Sequence, residues 1–149
     1  MKLEEEIKQK EFKSEYQKAI LNVLVTANWL ESCSNKTLKP FGISSQQYNV
    51  LRILKGQGSN AISVNDIMSR MIDKMSNASR LVEKLRQKGL IERVQCSADR
   101  RQVDVKITKK GLELLEKATN QMNTLDQLKS KITEKEAQAL NDILEKMRI

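Results

Sequence analysis

A chain of 149 residues is long enough for one domain with a real hydrophobic core, or for one domain plus oligomerisation helices. It carries 27 Lys and Arg against 19 Asp and Glu, a formal net charge of +8, which favours a polyanionic partner such as nucleic acid or an anionic membrane surface. There is no histidine, and the two cysteines, Cys33 and Cys96, lie far apart, so the commonest general base, the commonest metal ligand, a Cys-x-x-Cys zinc pair and a disulfide framework are all excluded. The expectation is a non-enzymatic protein of a reducing cytosol, with no metal and no cofactor.

The charge is unevenly spread. Residues 60–110 hold 12 basic and 6 acidic side chains, a net of +6, whereas residues 111–149 hold 6 and 7. A footprint on a polyanion should therefore lie in the middle third. The charged start, Met1 to Glu6, lacks the apolar core of a signal peptide. The longest apolar-rich run, Ile20 to Leu30, is interrupted by Asn22, Thr26 and Asn28 and falls well short of the ~20 residues that span a bilayer. A cytoplasmic protein without membrane association is expected.

With 5 Gly and 1 Pro, helix breakers are scarce and the chain should be mostly helical. The first predicted helix runs from about Glu5 to Lys36. It carries two apolar stripes: Phe12, Tyr16, Ile20, Val23, Ala27 and Leu30, and then Leu21, Val25, Trp29 and Cys33. Two stripes predict burial on two sides, the second against the rest of the chain or another subunit. Pro40-Phe41-Gly42 breaks the helix. Ser44-Ser45-Gln46-Gln47 is a capping box that opens a second helix containing Val50, Leu51 and Leu54 and ended by Gly56 and Gly58. Ser63-Val64-Asn65-Asp66 opens a short third helix through about Met71.

After a turn near Ile72-Asp73-Lys74, a fourth helix is predicted from about Ser76 to Lys88, with Ala78, Leu81, Val82 and Leu85 on its buried side and Gly89 as terminator. The period then changes. Leu90 to Gln95 is β-prone, and residues 102–108 alternate polar and apolar as a half-buried strand does. Cys96 to Arg101 between them makes a hairpin with a basic tip. A long helix from about Lys109 to Leu128 follows, carrying Leu115, Ala118, Met122 and Leu125. The capping box Thr133-Glu134-Lys135-Glu136 opens a last helix with Leu140, Ile143, Leu144 and Met147 on one face.

Short helix, turn, amphipathic helix, glycine and a basic hairpin form the layout of a winged helix-turn-helix. The fold class is mainly α with a small β-hairpin wing, flanked by N- and C-terminal helices. At about 100° per residue, Ser76, Asn77, Arg80, Glu83, Lys84 and Gln87 face away from the fourth helix's buried stripe, where they could meet base edges and phosphates. Two guanidinium groups at the wing suit a narrow minor groove.

Met75 to Leu85, Lys88-Gly89-Leu90-Ile91-Glu92-Arg93, Asp99-Arg100-Arg101 and Ile107-Thr108-Lys109-Lys110-Gly111 resemble the multiple antibiotic resistance regulator (MarR) family. The likeness extends over nearly the whole chain. The aspartate–arginine wing followed by a Thr-x-x-Gly helix start is its more specific part. The resemblance implies one MarR-like chain over 1–149. A DNA-binding lobe would span 44–110, and dimerisation helices 5–36 and 109–149. It implies a homodimeric regulator of double-stranded DNA with an inverted-repeat operator, usually a repressor, often released by a small aromatic ligand or by cysteine oxidation.

The candidate DNA contacts are Ser76, Asn77, Ser79, Arg80 and Lys84 from the helix, with Asp99, Arg100 and Arg101 from the wing. By the resemblance one wing arginine enters the minor groove while Asp99 braces the loop. Arg101 is assigned that role with Arg100 as the alternative, because spacing does not separate them. Trp29, Cys33 and Tyr48 are candidate ligand contacts by position, against the competing reading of Trp29 as a core or dimer anchor. For thiol oxidation, Cys96, close in sequence to Arg93, Arg100 and Arg101, is better placed than Cys33, against a structural role for both. The rival functional reading is a winged-helix module for protein–protein contact, which explains neither the +6 middle third nor the two-arginine wing.

Overall fold

The computed structural model describes residues 1–95 and 103–148. Its helices begin where local chemistry tells them to. The side chains of Ser14, Ser44, Ser63, Asn77, Thr108 and Thr133 each accept a hydrogen bond from the backbone N–H three residues on. Each thereby satisfies an otherwise orphaned donor of the first turn. The helices are α1 (Leu3–Glu6), α2 (Glu15–Leu38), α3 (Ser45–Gly56), α4 (Val64–Arg70), α5 (Ala78–Gln87), α6 (Lys109–Gln121), α7 (Thr124–Lys129) and α8 (Glu134–Met147). A 3₁₀ turn, Lys39–Phe41, separates α2 from α3.

Three short strands, β1 (Ile62–Ser63), β2 (Ile91–Gln95) and β3 (Val103–Ile107), form an antiparallel sheet in the order β1-β3-β2. β2 and β3 pair from Ile91 opposite Ile107 to Gln95 opposite Val103, and β1 pairs Ile62 with Val105. Gly89 makes the join between α5 and β2 possible. At φ +72° it takes the left-handed conformation, and Leu90 N–H donates to the Leu85 carbonyl at 3.0 Å, closing the helix end. The core lies between α3, α4, α5, α6 and the sheet, where Val50, Leu51, Leu54, Ile67, Leu85, Val105 and Leu115 are almost fully buried. This is a winged helix-turn-helix, as the sequence leads one to expect.

The structure corrects the boundaries of two helices. The first is not continuous from Glu5: the chain leaves α1, passes Lys8 at φ +53°, and restarts at Ser14. Gln17 completes the new start, its side chain accepting from Lys13 N–H at 2.7 Å while its own N–H donates to Ser14 Oγ at 3.2 Å. Phe12 therefore sits outside the helix, beneath the Lys18 ammonium at 5.6 Å from the ring centre. Lys18 also pairs with Glu4, tying α1 back to α2. The helix predicted over Lys109 to Leu128 likewise divides. α6 stops at Gln121, Met122 is extended at ψ 104°, and α7 begins at Thr124. A partly buried Met122 holds the bend against the core.

Burial of α2 on two sides is not found within one chain. Tyr16 is 84% exposed, and Ile20, Val23, Leu24 and Leu30 are open as well; Leu38 is the helix's one buried residue. The α8 face of Leu140, Ile143 and Met147 is open too. No helix among the described residues is long and apolar enough to cross a membrane.

Candidate nucleic-acid interface

The helix-turn-helix is built from short-range hydrogen bonds. Ser63 and Asp66 close the box that starts α4: Asp66 N–H donates to Ser63 Oγ at 3.1 Å, and Ser63 Oγ donates to Asp66 Oδ2 at 2.7 Å. The Ser63 Oγ bond to the carboxylate, joined by one from Ser63 N–H to the same oxygen at 3.3 Å, favours the ionised form and holds the Asp66 carboxyl below its ordinary range. The turn into α5 is organised by Asp73. Its Oδ1 accepts from Met75 N–H at 2.9 Å, its carbonyl from Ser76 N–H at 3.2 Å, and its Oδ2 from the Gln46 side chain at 3.2 Å. Ile72 N–H donates to Asn49 Oδ1 at 3.0 Å, so α3 grips the turn at two points.

α5 packs Ala78, Val82 and Leu85 inward and leaves Ser79, Arg80 and Lys84 outward and exposed. Asn77 is its N-cap, with Oδ1 accepting from Arg80 N–H at 3.1 Å. Among the described residues neither Arg80 nor Lys84 takes a carboxylate partner. Glu83, one step round the helix, is already spent. Its carboxylate receives Arg86 Nε and Nη2 at 3.0 and 2.7 Å and Arg93 Nη2 at 2.8 Å. The Arg86 hydrogen bond first, then the Arg86 and Arg93 charges, holds its carboxyl below the usual range. Glu83 thus braces the helix against β2, and the outward cations are left in excess.

Ser76 departs from expectation. It is only 8% exposed, and its hydroxyl has no hydrogen-bond partner among the described residues. Residue 76 precedes the N-cap, so helical angles do not govern where it points. It serves the turn rather than the outer face. Replacing it by alanine removes a buried, unpaired hydroxyl and should raise stability by about 1 kcal/mol or leave it unchanged. Chemical unfolding of Ser76→Ala checks this, and a loss above ~1 kcal/mol would mean that the hydroxyl is bonded in the folded protein.

Gln46, Met75, Asn77, Arg80 and Lys84 line a shallow concavity of about 500 Å³ at the amino end of α5. Gln46, Asp73 and Met75 were not singled out from the sequence, and neither was the Glu83–Arg93 brace. An Asx turn is legible in Asp73-Lys74-Met75, but the reach of Gln46 across 27 residues is not. Asp99, Arg100 and Arg101 lie outside the described residues, as does Cys96.

A second cleft, of about 690 Å³, opens between α2, α3 and the α6–α7 bend, lined by Ser34, Tyr48, Arg52, Thr119 and Leu125 among others. Tyr48 Oη and Thr119 Oγ1 lie 2.9 Å apart across it. Of the three candidate ligand contacts, Tyr48 alone lines this cleft. Trp29, 50% exposed, borders a separate hollow with Met1, Glu6 and Val25, and half-buried Cys33 shares Trp29's side of α2 at four-residue spacing. Ser34, about 100° further round the helix than Cys33, faces the cleft instead. The trio is not assembled within one chain.

Residues 43–103 match the family model described as MarR family. Transcriptional repressor MprA of Escherichia coli is 32% identical over 114 residues, which span 76% of this chain and 65% of MprA. HTH-type transcriptional repressor IacR of Pseudomonas putida is 31% identical over 111 residues, 74% of this chain and 65% of IacR. The match thus spans just under two thirds of these relatives' own length. Among solved structures, S. aureus MepR in its complex with DNA superposes with a TM-score of 0.74 at 25% identity, covering 92% of this chain and 97% of MepR.

Proposed function

We propose that the chain is a member of the MarR family, whose model matches residues 43–103, and that it is a regulator that binds double-stranded DNA, acts as a repressor and works as a cytoplasmic homodimer. The observation that carries this reading is the outer side of α5. Arg80 and Lys84 stand exposed there without a carboxylate partner among the described residues, while the one acidic residue of that helix, Glu83, is neutralised by Arg86 and Arg93. An electropositive helix start on a rigid turn suits a major groove. The likeness to MepR, solved with DNA, and the description of MprA and IacR as repressors support the same reading.

Asn77, Ser79, Arg80 and Lys84 are the proposed helix contacts. Asp99, Arg100 and Arg101 are the proposed wing contacts, one arginine entering the minor groove. The open apolar sides of α2 and α8 supply the surface for a second copy. Two-fold symmetry would then set two α5 helices about one DNA turn, ~34 Å, apart on an inverted repeat. The cleft beside Tyr48 is the proposed seat of a small aromatic ligand that releases DNA.

Selection of bound sequences from random duplexes, followed by titration across salt, tests the reading. An inverted repeat should emerge, and each phosphate contact should add about −0.9 to the slope of log affinity against log salt. Light scattering should report a dimer mass at micromolar concentration. A monomer mass would overturn the homodimer, and no bound duplex below micromolar protein would overturn the DNA-binding reading in favour of a protein-contact module.

A further inference from the structure

Met75 has no structural use for its side chain. It is 92% exposed, so almost none of its apolar surface touches the protein. Its backbone is nonetheless among the most firmly held in the turn. Its N–H donates to Asp73 Oδ1 at 2.9 Å, the next N–H donates to the Asp73 carbonyl at 3.2 Å, and Asp73 is itself gripped by Gln46. The next side chain, Ser76, is buried. Such a turn presents Met75 outward at a defined place, two residues before Asn77, the N-cap of α5. There it lines the same concavity as Asn77, Arg80 and Lys84. Ile72, the turn's other exposed apolar residue, borders the Tyr48 cleft instead.

An apolar tip beside cations that take no carboxylate partner among the described residues fits a polyanion that carries an apolar group within reach of its charges. A thioether offers nothing to a phosphate oxygen. In the major groove, one base edge bears a methyl group, that of thymine. Methionine is flexible and polarizable and adapts to such a contact. Resting on the DNA-binding reading above, we propose that Met75 is a specificity-determining residue that packs against a thymine methyl group in the operator.

The test pairs a deletion on the protein with a deletion on the DNA. Operator duplexes taken from the selection are remade with each thymine in turn replaced by uracil, which removes the methyl group alone. The unaltered protein should lose about fourfold in affinity at one thymine per half-site, the worth of one buried methyl group. Met75→Ala should bind the thymine operator about fourfold more weakly and be indifferent to that uracil, so that the two losses do not add. Met75→Leu should keep the discrimination. Thermal unfolding should be unchanged in both variants, since the side chain is exposed. If every uracil change costs Met75→Ala as much as it costs the unaltered protein, the methyl contact is overturned while DNA binding stands. If no thymine is sensitive, the outcome is the same. If selection returns no bound duplex, the DNA-binding reading falls first, and this proposal falls with it.

Discussion

Gly111→Ala should destabilise the protein by about 3 kcal/mol, at the upper end of the cost of overpacking, although alanine is the better helix former by roughly 1 kcal/mol. Gly111 lies in the first turn of α6, where its N–H donates to Thr108 Oγ1 at 3.1 Å. A Cβ there would overlap the Leu90 carbonyl oxygen and stand 2.7 Å from Ile107 Cγ1. The backbone neighbour cannot step aside. The Leu90 carbonyl accepts from Thr108 N–H at 3.0 Å, Thr108 Oγ1 donates to the Gly89 carbonyl at 2.7 Å, and the Leu90 side chain is buried. Relief would prise the start of α6 away from β2. A fall of roughly 10 °C in the thermal midpoint is expected. A midpoint that rises would mean helix propensity wins and the close approach is absent in solution. The Thr-x-x-Gly start therefore has a physical cause: the threonine caps α6 and pins the α5–β2 corner, and the glycine lets the helix lie against the root of the wing.

Arg80→Ala should lower affinity for the selected operator by about tenfold to a hundredfold, the range of a well-made arginine contact to a base edge, with thermal unfolding nearly unchanged. The two readouts separate because Arg80 lends its backbone N–H to the Asn77 cap, which alanine preserves, while its exposed side chain bears no described structural load. The pattern of loss identifies the contact. A loss confined to the operator marks base readout. An equal loss on all duplexes, with a salt slope flatter by about 0.9, marks a phosphate contact. Unchanged affinity would remove Arg80 from the interface and with it the observation on which the functional proposal rests.

Much of the fold was legible because its signals are short. Ser44, Ser63 and Thr133 announce helices through capping boxes that close within four residues, and Gly89 announces an end by its freedom at positive φ. The change from helical spacing to strict alternation located β3. The breaks at Ser14 and Asn123 were missed because apolar spacing continues across them, and periodicity is blind to a backbone that bends while keeping its stripe in phase. The strand Ile62–Ser63 has no pattern of its own; two residues become a strand only by lying beside Val105 and Asp104.

The site divides along the same line. Spacing alone placed Arg80 and Lys84 on the outer side of α5, because a helix fixes the direction of every side chain relative to its buried stripe. Tertiary packing decided the rest. It turned Ser76 inward, gave Glu83 to Arg93 on the neighbouring strand, let Gln46 hold the Asp73 turn, and set Trp29 apart from the cleft at Tyr48. Each of these depends on where a second element lies, at separations of 10 to 27 residues for the two hydrogen bonds. Local chemistry specifies what an element is and which way it faces; the partner across the gap is specified only when the elements pack.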